Sequence, residues 1–105
     1  MKNAYIISGT RSAIGNFNGS LSAVRTDDLI ASVIKNLIQK NPQIPLDKID
    51  DVIIGCANQA GEDNRNIARM ALLLAGIPVN VPGETVNRLC ASGMSAVVQA
   101  FRAIK

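Results

Sequence analysis

The sequence alternates short runs rich in β-branched and aromatic residues with longer stretches whose apolar residues recur at helical spacing. The short runs cover residues 3–8, 51–56 and 84–87, and a helical pattern follows each of them along the chain. Parallel strands need a crossover connection between them, and a helix is the usual one. The order of the segments therefore predicts an α/β fold, with three strand–helix units built around a parallel sheet.

Local signals place the ends of the three helices. The first is expected over residues 27–40, where the apolar residues form one wide stripe, with Thr26 as N-cap and Pro42 beyond the end. The second is expected over residues 64–75, because Gly76 and Pro78 follow it. The third begins soon after residue 87. Its apolar side consists of Met94, Val97, Val98, Phe101 and Ile104.

Length and composition restrict the class of protein. A chain of 105 residues with 48% apolar residues is the size of one unit, and we treat residues 1–105 as a single domain. The net charge of +3 is spread along the chain and only three aromatic residues occur, so no nucleic-acid partner is expected. The apolar runs are too short for a membrane span or a signal-peptide core. These features favour a soluble cytoplasmic protein without a membrane partner.

The two cysteines, Cys56 and Cys90, lack the spacing of a redox or zinc motif, and the sequence contains no histidine. We expect two free thiols and no metal site. Cys56 ends an apolar run and is expected to serve as a packing residue. Cys90 lies between the third strand and the third helix, in the opening turn of that helix, where unpaired backbone N–H groups stabilise a thiolate.

The neighbours of Cys90 suit a nucleophile. Ala91, Ser92 and Gly93 are small enough to let a substrate carbonyl approach, and the Cys90 amide can donate to an oxyanion formed there. A buried and inert thiol is the competing interpretation, because free cysteine often acts as a small apolar residue. Asn87 is expected to hold the loop before the helix through its side-chain amide. Three arginines, Arg65, Arg69 and Arg88, could face a phosphate-bearing cofactor, but solvation at the surface or subunit contacts explain them at least as well, so none is taken as catalytic.

Three segments resemble one enzyme family. Residues 86–97, VNRLCASGMSAV, closely resemble the acyl-enzyme signature of thiolases, V-N-x-x-C-x-S-G, and Ile104 matches the apolar residue expected further along. Residues 11–21, RSAIGNFNGSL, resemble the N-terminal thiolase segment R-T-P-[IF]-G-x-F-x-G-x-L, with Ser12 and Ala13 in place of Thr and Pro. Residues 61–69, GEDNRNIAR, resemble the loop and helix start that precede the cysteine strand. The whole chain is similar to the beginning of a thiolase.

The resemblance implies an acyltransferase of the acetyl-CoA acetyltransferase type, with a place in fatty-acid metabolism. Cys90 would accept an acyl group from one CoA thioester and pass it to another, without a further cofactor. The fold implied is the first three strand–helix units of the N-terminal half of a layered αβαβα arrangement, in a homo-oligomer. The family's two histidines and second catalytic cysteine have no counterpart in these residues, so we expect the 105-residue chain alone to be inactive. Residues that contact CoA are not assigned.

Three other interpretations are weighed against this one. A β-ketoacyl synthase fragment also places a nucleophilic cysteine at a helix start, but Asn87 and the Ser92-Gly93 pair favour a thiolase. A non-catalytic binding module with a thiolase-like fold would keep Cys90 as an inert thiol. A dinucleotide-binding module is disfavoured because the first strand is not followed by G-x-G-x-x-G.

Overall fold

The computed structural model describes residues 2–105 and contains three α-helices and two β-strands. The helices are α1 (Thr26–Lys40), α2 (Ile67–Leu74) and α3 (Ser92–Ile104), and the strands are β1 (Val52–Gly55) and β2 (Gly83–Val86). Two short 3₁₀ turns, Leu46–Lys48 and Gly61–Asp63, lie in the connections. Each strand is followed by a helix, as the sequence pattern predicts.

The two strands form a parallel pair, in which Val52 is opposite Gly83 and Gly55 is opposite Val86. Helix α2 crosses between them, and its backbone passes so close to Gly83 that a methyl group there would press on the Arg69 amide and the Leu72 side chain. Gly55 lies three residues beyond Val52 and therefore faces the other side of the sheet, where it contacts the start of α3. Helices thus cover both faces, and the prediction of an α/β fold with a parallel sheet is confirmed.

The hydrophobic core lies on the α2 side of the sheet. Leu72, Ile77 and Val81 are buried there, and four partly buried residues pack against them: Ile34, Ile38, Ile49 and Val52. Helix α2 ends at this cluster, because Gly76 adopts a left-handed conformation and the Ile77 N–H bonds back to the Leu72 carbonyl at 3.0 Å. The predicted helix stop at Gly76 is confirmed.

The expected first strand is absent from the structure. Residues 3–8 have no regular secondary structure, and Tyr5, Ile6 and Ile7 are 75%, 90% and 74% exposed. A strand is held by hydrogen bonds to a neighbour, and within residues 2–105 β1 and β2 pair only with each other. The segment instead lines an open apolar cavity of about 380 Å³ with α1 residues Leu37 and Ile38. The strand prediction was therefore wrong for this chain.

Two helix starts also differ from expectation. Helix α1 begins at Thr26, so Arg25 occupies the N-cap position and the prediction of Thr26 as the cap was wrong. Helix α2 begins at Ile67 instead of residue 64, because Asn64 and Arg65 both adopt left-handed conformations that interrupt a helix. Asn66 is the N-cap, and its side chain accepts the Arg69 N–H at 3.3 Å.

The apolar side of α3 faces solvent within the part of the chain that the structure describes. Five large apolar side chains are exposed along it: Met94, Val97, Val98, Phe101 and Ile104. Only Ser92 and Ala96 of this helix are buried. Nothing in residues 2–105 covers this surface, which we call the α3 apolar face. None of the helices in this range is long and apolar enough to cross a membrane.

Candidate active site

Cys90 lies in a short loop at the ends of the two parallel strands. Strand β2 ends at Val86 and α3 begins at Ser92, so Cys90 precedes the helix by two residues instead of lying within its first turn. We call residues 87–91 the cysteine loop. The Cys90 residue is exposed, which contradicts the alternative that its thiol is buried. The residue is therefore accessible to solvent within the described part of the chain.

The Asn87 side chain holds the beginning of the cysteine loop. Its Nδ2 donates to the Ala57 carbonyl, which follows β1, at 3.3 Å. Its Oδ1 accepts the Leu89 N–H at 2.9 Å. The prediction that Asn87 holds this loop through its amide is confirmed, and the loop is thereby joined to the end of the neighbouring strand.

Ser92 holds the other end of the loop and was not identified from the sequence. Its hydroxyl oxygen accepts the Arg88 N–H at 2.8 Å, and its proton is donated to the Leu89 carbonyl at 2.6 Å. The residue is 4% exposed. A serine in the first turn of a helix commonly bonds to nearby backbone groups, and this tendency was the available signal.

Leu89 has an unusual backbone conformation for its type. Its φ is +47°, in the left-handed region that β-carbon sterics disfavour for all residues except glycine. The side chain is 71% exposed, so apolar packing does not maintain this conformation. Both backbone polar groups of Leu89 are bound by side chains, the N–H by Asn87 and the carbonyl by Ser92. These bonds offset the strain and set the direction in which the chain enters Cys90.

The Cys90 amide has no hydrogen-bond acceptor within residues 2–105, whereas the N–H groups of Ala91 and Ser92 bond back to Arg88 and Leu89. An unpaired backbone N–H next to an exposed thiol can donate to an oxyanion that forms during attack on a carbonyl. The sequence-based expectation for this amide is therefore compatible with the geometry.

Cys56 occupies a different environment from Cys90. It is half-buried after β1, and its Sγ lies 3.0 Å from the Asn58 carbonyl oxygen and 3.3 Å from Asp63 Oδ2. Burial raises the pKa of the Cys56 thiol, and the Asp63 carboxylate adds to that effect. A thiol kept protonated is a poor nucleophile. The geometry agrees with a structural role for Cys56.

Two of the three conspicuous arginines lie away from the cysteine loop, and one of them is structural. The Arg69 guanidinium donates to the Val81 and Val79 carbonyls at 2.8 and 3.0 Å, fixing the segment before β2. Arg65 is exposed on the turn before α2. Arg88 belongs to the cysteine loop and is exposed. It lines an open cavity of about 490 Å³ with α3 residues that include Ala91 and Arg102.

The fold and the cysteine loop match one known family. A family model described as the N-terminal domain of thiolase matches residues 4–105. The chain belongs to the thiolase family and corresponds to that N-terminal domain. The resemblance of the three sequence motifs is therefore confirmed, and acyl transfer is the chemistry of the family.

Individual relatives narrow the comparison. The chain is 62% identical over 103 residues to a β-ketoadipyl-CoA thiolase of Pseudomonas knackmussii, with 98% of this chain and 26% of the relative covered. It is 57% identical over 105 residues to a 3-oxoadipyl-CoA/3-oxo-5,6-dehydrosuberyl-CoA thiolase of Escherichia coli, covering 26% of that protein. A 3-ketoacyl-CoA thiolase of Photorhabdus laumondii is 46% identical over 105 residues. The chain spans about a quarter of the length of these relatives.

Proposed function

We propose that this chain provides the acyl-accepting cysteine of a thiolase that cleaves 3-oxoacyl-CoA thioesters or forms them. The observation that carries the proposal is the presentation of Cys90, which is exposed beside its own unpaired amide in a loop held at both ends. A thiolate placed there can attack a carbonyl carbon while the amide stabilises the oxygen. The site is suited to acyl transfer, and CoA thioesters are its proposed substrates without a further cofactor.

The proposed substrate is β-ketoadipyl-CoA, the compound named for several relatives. Attack of the Cys90 thiolate on its C3 carbonyl forms a carbon–sulfur bond and breaks the C2–C3 bond. The departing acetyl-CoA carbanion takes up a proton, and the remaining acyl group, which carries one free carboxylate, stays on the sulfur as a thioester. The CoA thiol then attacks this thioester, takes over the acyl group as a second CoA thioester and releases the Cys90 thiolate. The sequence resemblance favours a more specific activity, acetyl transfer between two acetyl-CoA molecules with a place in fatty-acid metabolism. The experiment below therefore also measures this activity.

A full catalytic cycle also needs acid/base groups that move protons. The 105 residues contain no histidine, and burial raises the pKa of Cys56, which directly follows β1. We therefore propose that this chain alone accepts an acyl group and does not turn over. The free thiols suit a reducing compartment, and we place the protein in the cytoplasm. The α3 apolar face supports a homo-oligomeric assembly.

A chimera tests the proposal. In the chimera, residues 2–105 replace the matched segment of the Pseudomonas knackmussii relative. The rates at which CoA cleaves β-ketoadipyl-CoA and acetoacetyl-CoA are measured from the acetyl-CoA that is formed. We expect faster cleavage of β-ketoadipyl-CoA. Cys90→Ala should abolish cleavage of both, whereas Cys56→Ala should retain it. A folded chimera that cleaves neither substrate, or a Cys90→Ala variant that remains active, would refute the proposal. Preference for acetoacetyl-CoA would favour the acetyltransferase assignment.

A further inference from the structure

The peptide group between Leu89 and Cys90 is held by two donors from one residue. The Ser92 hydroxyl donates to the Leu89 carbonyl oxygen at 2.6 Å, and the Ser92 backbone N–H donates to the same oxygen at 3.1 Å. The hydroxyl oxygen also accepts the Arg88 N–H, so its single proton is directed at Leu89. The Leu89 carbonyl is thus turned toward the start of α3.

The direction of this carbonyl determines the direction of the Cys90 amide. A trans peptide is planar, and its C=O and N–H bonds point in opposite directions. All peptide bonds in the described chain are trans. Because the Leu89 carbonyl points at Ser92, the Cys90 N–H points away from it, and no acceptor within residues 2–105 receives that N–H. The hydroxyl and the backbone N–H of Ser92 therefore together orient the amide of the nucleophile, and the hydroxyl makes the shorter of the two bonds.

Ser92 is well placed to hold this orientation. Ser92 is 4% exposed, and its backbone packs directly against Gly55 of β1. This contact between the helix and the sheet keeps the position of the Ser92 side chain fixed. The left-handed φ of Leu89 works against the arrangement, because a leucine released from its bonds relaxes toward negative φ. Such a relaxation rotates the Leu89–Cys90 peptide and carries the Cys90 N–H with it. The hydroxyl bond opposes that rotation.

We propose that Ser92 is a positioning residue for acyl transfer, whose hydroxyl holds the Leu89–Cys90 peptide so that the Cys90 N–H donates to the substrate oxyanion. This inference rests on the proposed role of Cys90 as nucleophile. In the step concerned, the Cys90 thiolate forms a bond to the acyl carbon and the carbonyl π pair moves to oxygen. The Cys90 N–H then donates to that oxygen until the leaving group departs with the electron pair of its broken bond.

Two reactions of the same thiol separate positioning from general stability. Acylation by p-nitrophenyl acetate passes through an oxyanion and releases p-nitrophenolate, whereas alkylation by iodoacetamide displaces iodide at a saturated carbon and forms no oxyanion. Both are measured at Cys90 of the 105-residue chain at pH 9, where thiols in general react as thiolates without a base. The readout is the ratio of the acylation and alkylation rate constants, from which the thiolate fraction cancels.

We expect Ser92→Ala to slow acylation by about 10-fold or more, since losing an oxyanion donor outright costs about 100-fold to 1000-fold. Alkylation should change by less than about 3-fold. Ser92→Thr, which keeps a hydroxyl, should restore most of the ratio. Ser95→Ala is the matched control, because this serine lies one turn further along α3 and its side chain makes no hydrogen bond within residues 2–105. It should leave the ratio unchanged.

The outcomes distinguish the two proposals. If Ser92→Ala leaves the ratio unchanged, even when both rates fall, the positioning role is overturned and Cys90 remains the proposed nucleophile. If Ser92→Ala does not fold, Ser92→Gly, which also lacks the hydroxyl, is measured in its place, and an unchanged ratio in that variant overturns the positioning role. Absence of wild-type acylation at Cys90, seen by mass spectrometry of its tryptic peptide, refutes the proposed function and this inference with it.

Discussion

Gly55 at the end of β1 lies so close to Ser92 at the start of α3 that no side-chain atom fits between them. A methyl group on Gly55 would overlap the Ser92 carbonyl carbon and oxygen and the next backbone nitrogen. These are main-chain atoms of a helix and cannot move aside by rotation of a side chain. The contact therefore sets how closely the helix that follows Cys90 approaches the sheet.

Replacing this glycine should separate α3 from the sheet. We expect Gly55→Ala to lower the free energy of unfolding by about 1–3 kcal/mol, the usual cost of an added methyl group in a packed interior. Urea denaturation followed by circular dichroism measures the change. Gly93→Ala is the control, since nothing lies within 4 Å of the added methyl group. It should stabilise the helix by up to about 1 kcal/mol. Equal stability of the two variants would contradict the close contact.

The side chain of Asn66 joins α2 to β2. Its Oδ1 accepts the Thr85 hydroxyl at 2.8 Å and the Arg69 N–H at 3.3 Å, and its Nδ2 donates to the Gly83 carbonyl at 3.1 Å. Asn66→Ala removes all three bonds, so we expect a loss of about 2 kcal/mol in urea denaturation. Asn80→Ala, at an exposed asparagine, should change stability by less than about 0.5 kcal/mol. A cost no larger than that of the control would disprove the joining role.

Acid should weaken the start of α1. The Arg25 guanidinium donates to Asp27 at 3.0 and 3.1 Å and holds the pKa of that carboxyl below its ordinary value of 3.8. The pKa of Asp27 is lower in the folded chain than in the unfolded chain. The ionised carboxylate therefore stabilises the folded chain fully above pH 3.8, and this stabilisation is lost as pH falls from 3.8 toward the folded-state pKa. Urea denaturation at pH 7 and pH 3 should therefore show a smaller acid loss for Asp27→Asn than for wild type. Asp28→Asn, at the exposed neighbour, should retain the wild-type loss.

The two cysteines should react at different rates. Cys90 is exposed, whereas Cys56 is half-buried and its pKa is raised by burial, so little of it is thiolate near neutral pH. We expect iodoacetamide at pH 7.5 to modify Cys90 at least about 10-fold faster, as measured by mass spectrometry of tryptic peptides. Urea should remove most of the difference because it exposes Cys56. Faster labelling of Cys56 in the folded chain would contradict the assigned environments.

The α3 apolar face should make the 105-residue chain associate. Its five exposed apolar side chains lie along one helix, and apolar surface of this kind is buried when a partner is present. Light scattering should show an apparent mass that rises with concentration, and Phe101→Glu should reduce the rise. Gln99→Glu introduces the same charge off this face and should leave association unchanged. A wild-type mass that stays monomeric at all concentrations would count against the proposed oligomer.

The sequence pattern predicted the elements whose stability is mostly local. All three helices were found close to their expected bounds, since an apolar stripe and a stop signal such as Gly76 lie within the helix or next to it. The strand at residues 3–8 was not found, because strand formation depends on a partner that no local pattern reveals. Helix α2 begins later than predicted because Asn64 and Arg65 both have left-handed backbone conformations. Residues other than glycine rarely adopt this conformation, so the sequence gives no signal for it.

The structural setting of the candidate site was predictable in part. Cys90 was expected in the opening turn of the last helix and lies two residues before that helix, and the side chain of Asn87 was expected to hold the loop and does so. The left-handed conformation of Leu89 was not predictable, because leucine disfavours it and the bonds that impose it come from residues on both sides. The role proposed for Ser92 depends on that conformation, so it could be inferred only from the direction of the Leu89 carbonyl.

The sheet described above has only two strands of four residues each, which pair with each other within residues 2–105. Each strand therefore has an outer row of amide and carbonyl groups that no strand in this range uses. Such rows are templates for any extended peptide, including the same segment of another molecule. Pairing of these edges between molecules is therefore expected to increase with protein concentration. A dilute solution should limit such pairing when the chain is isolated.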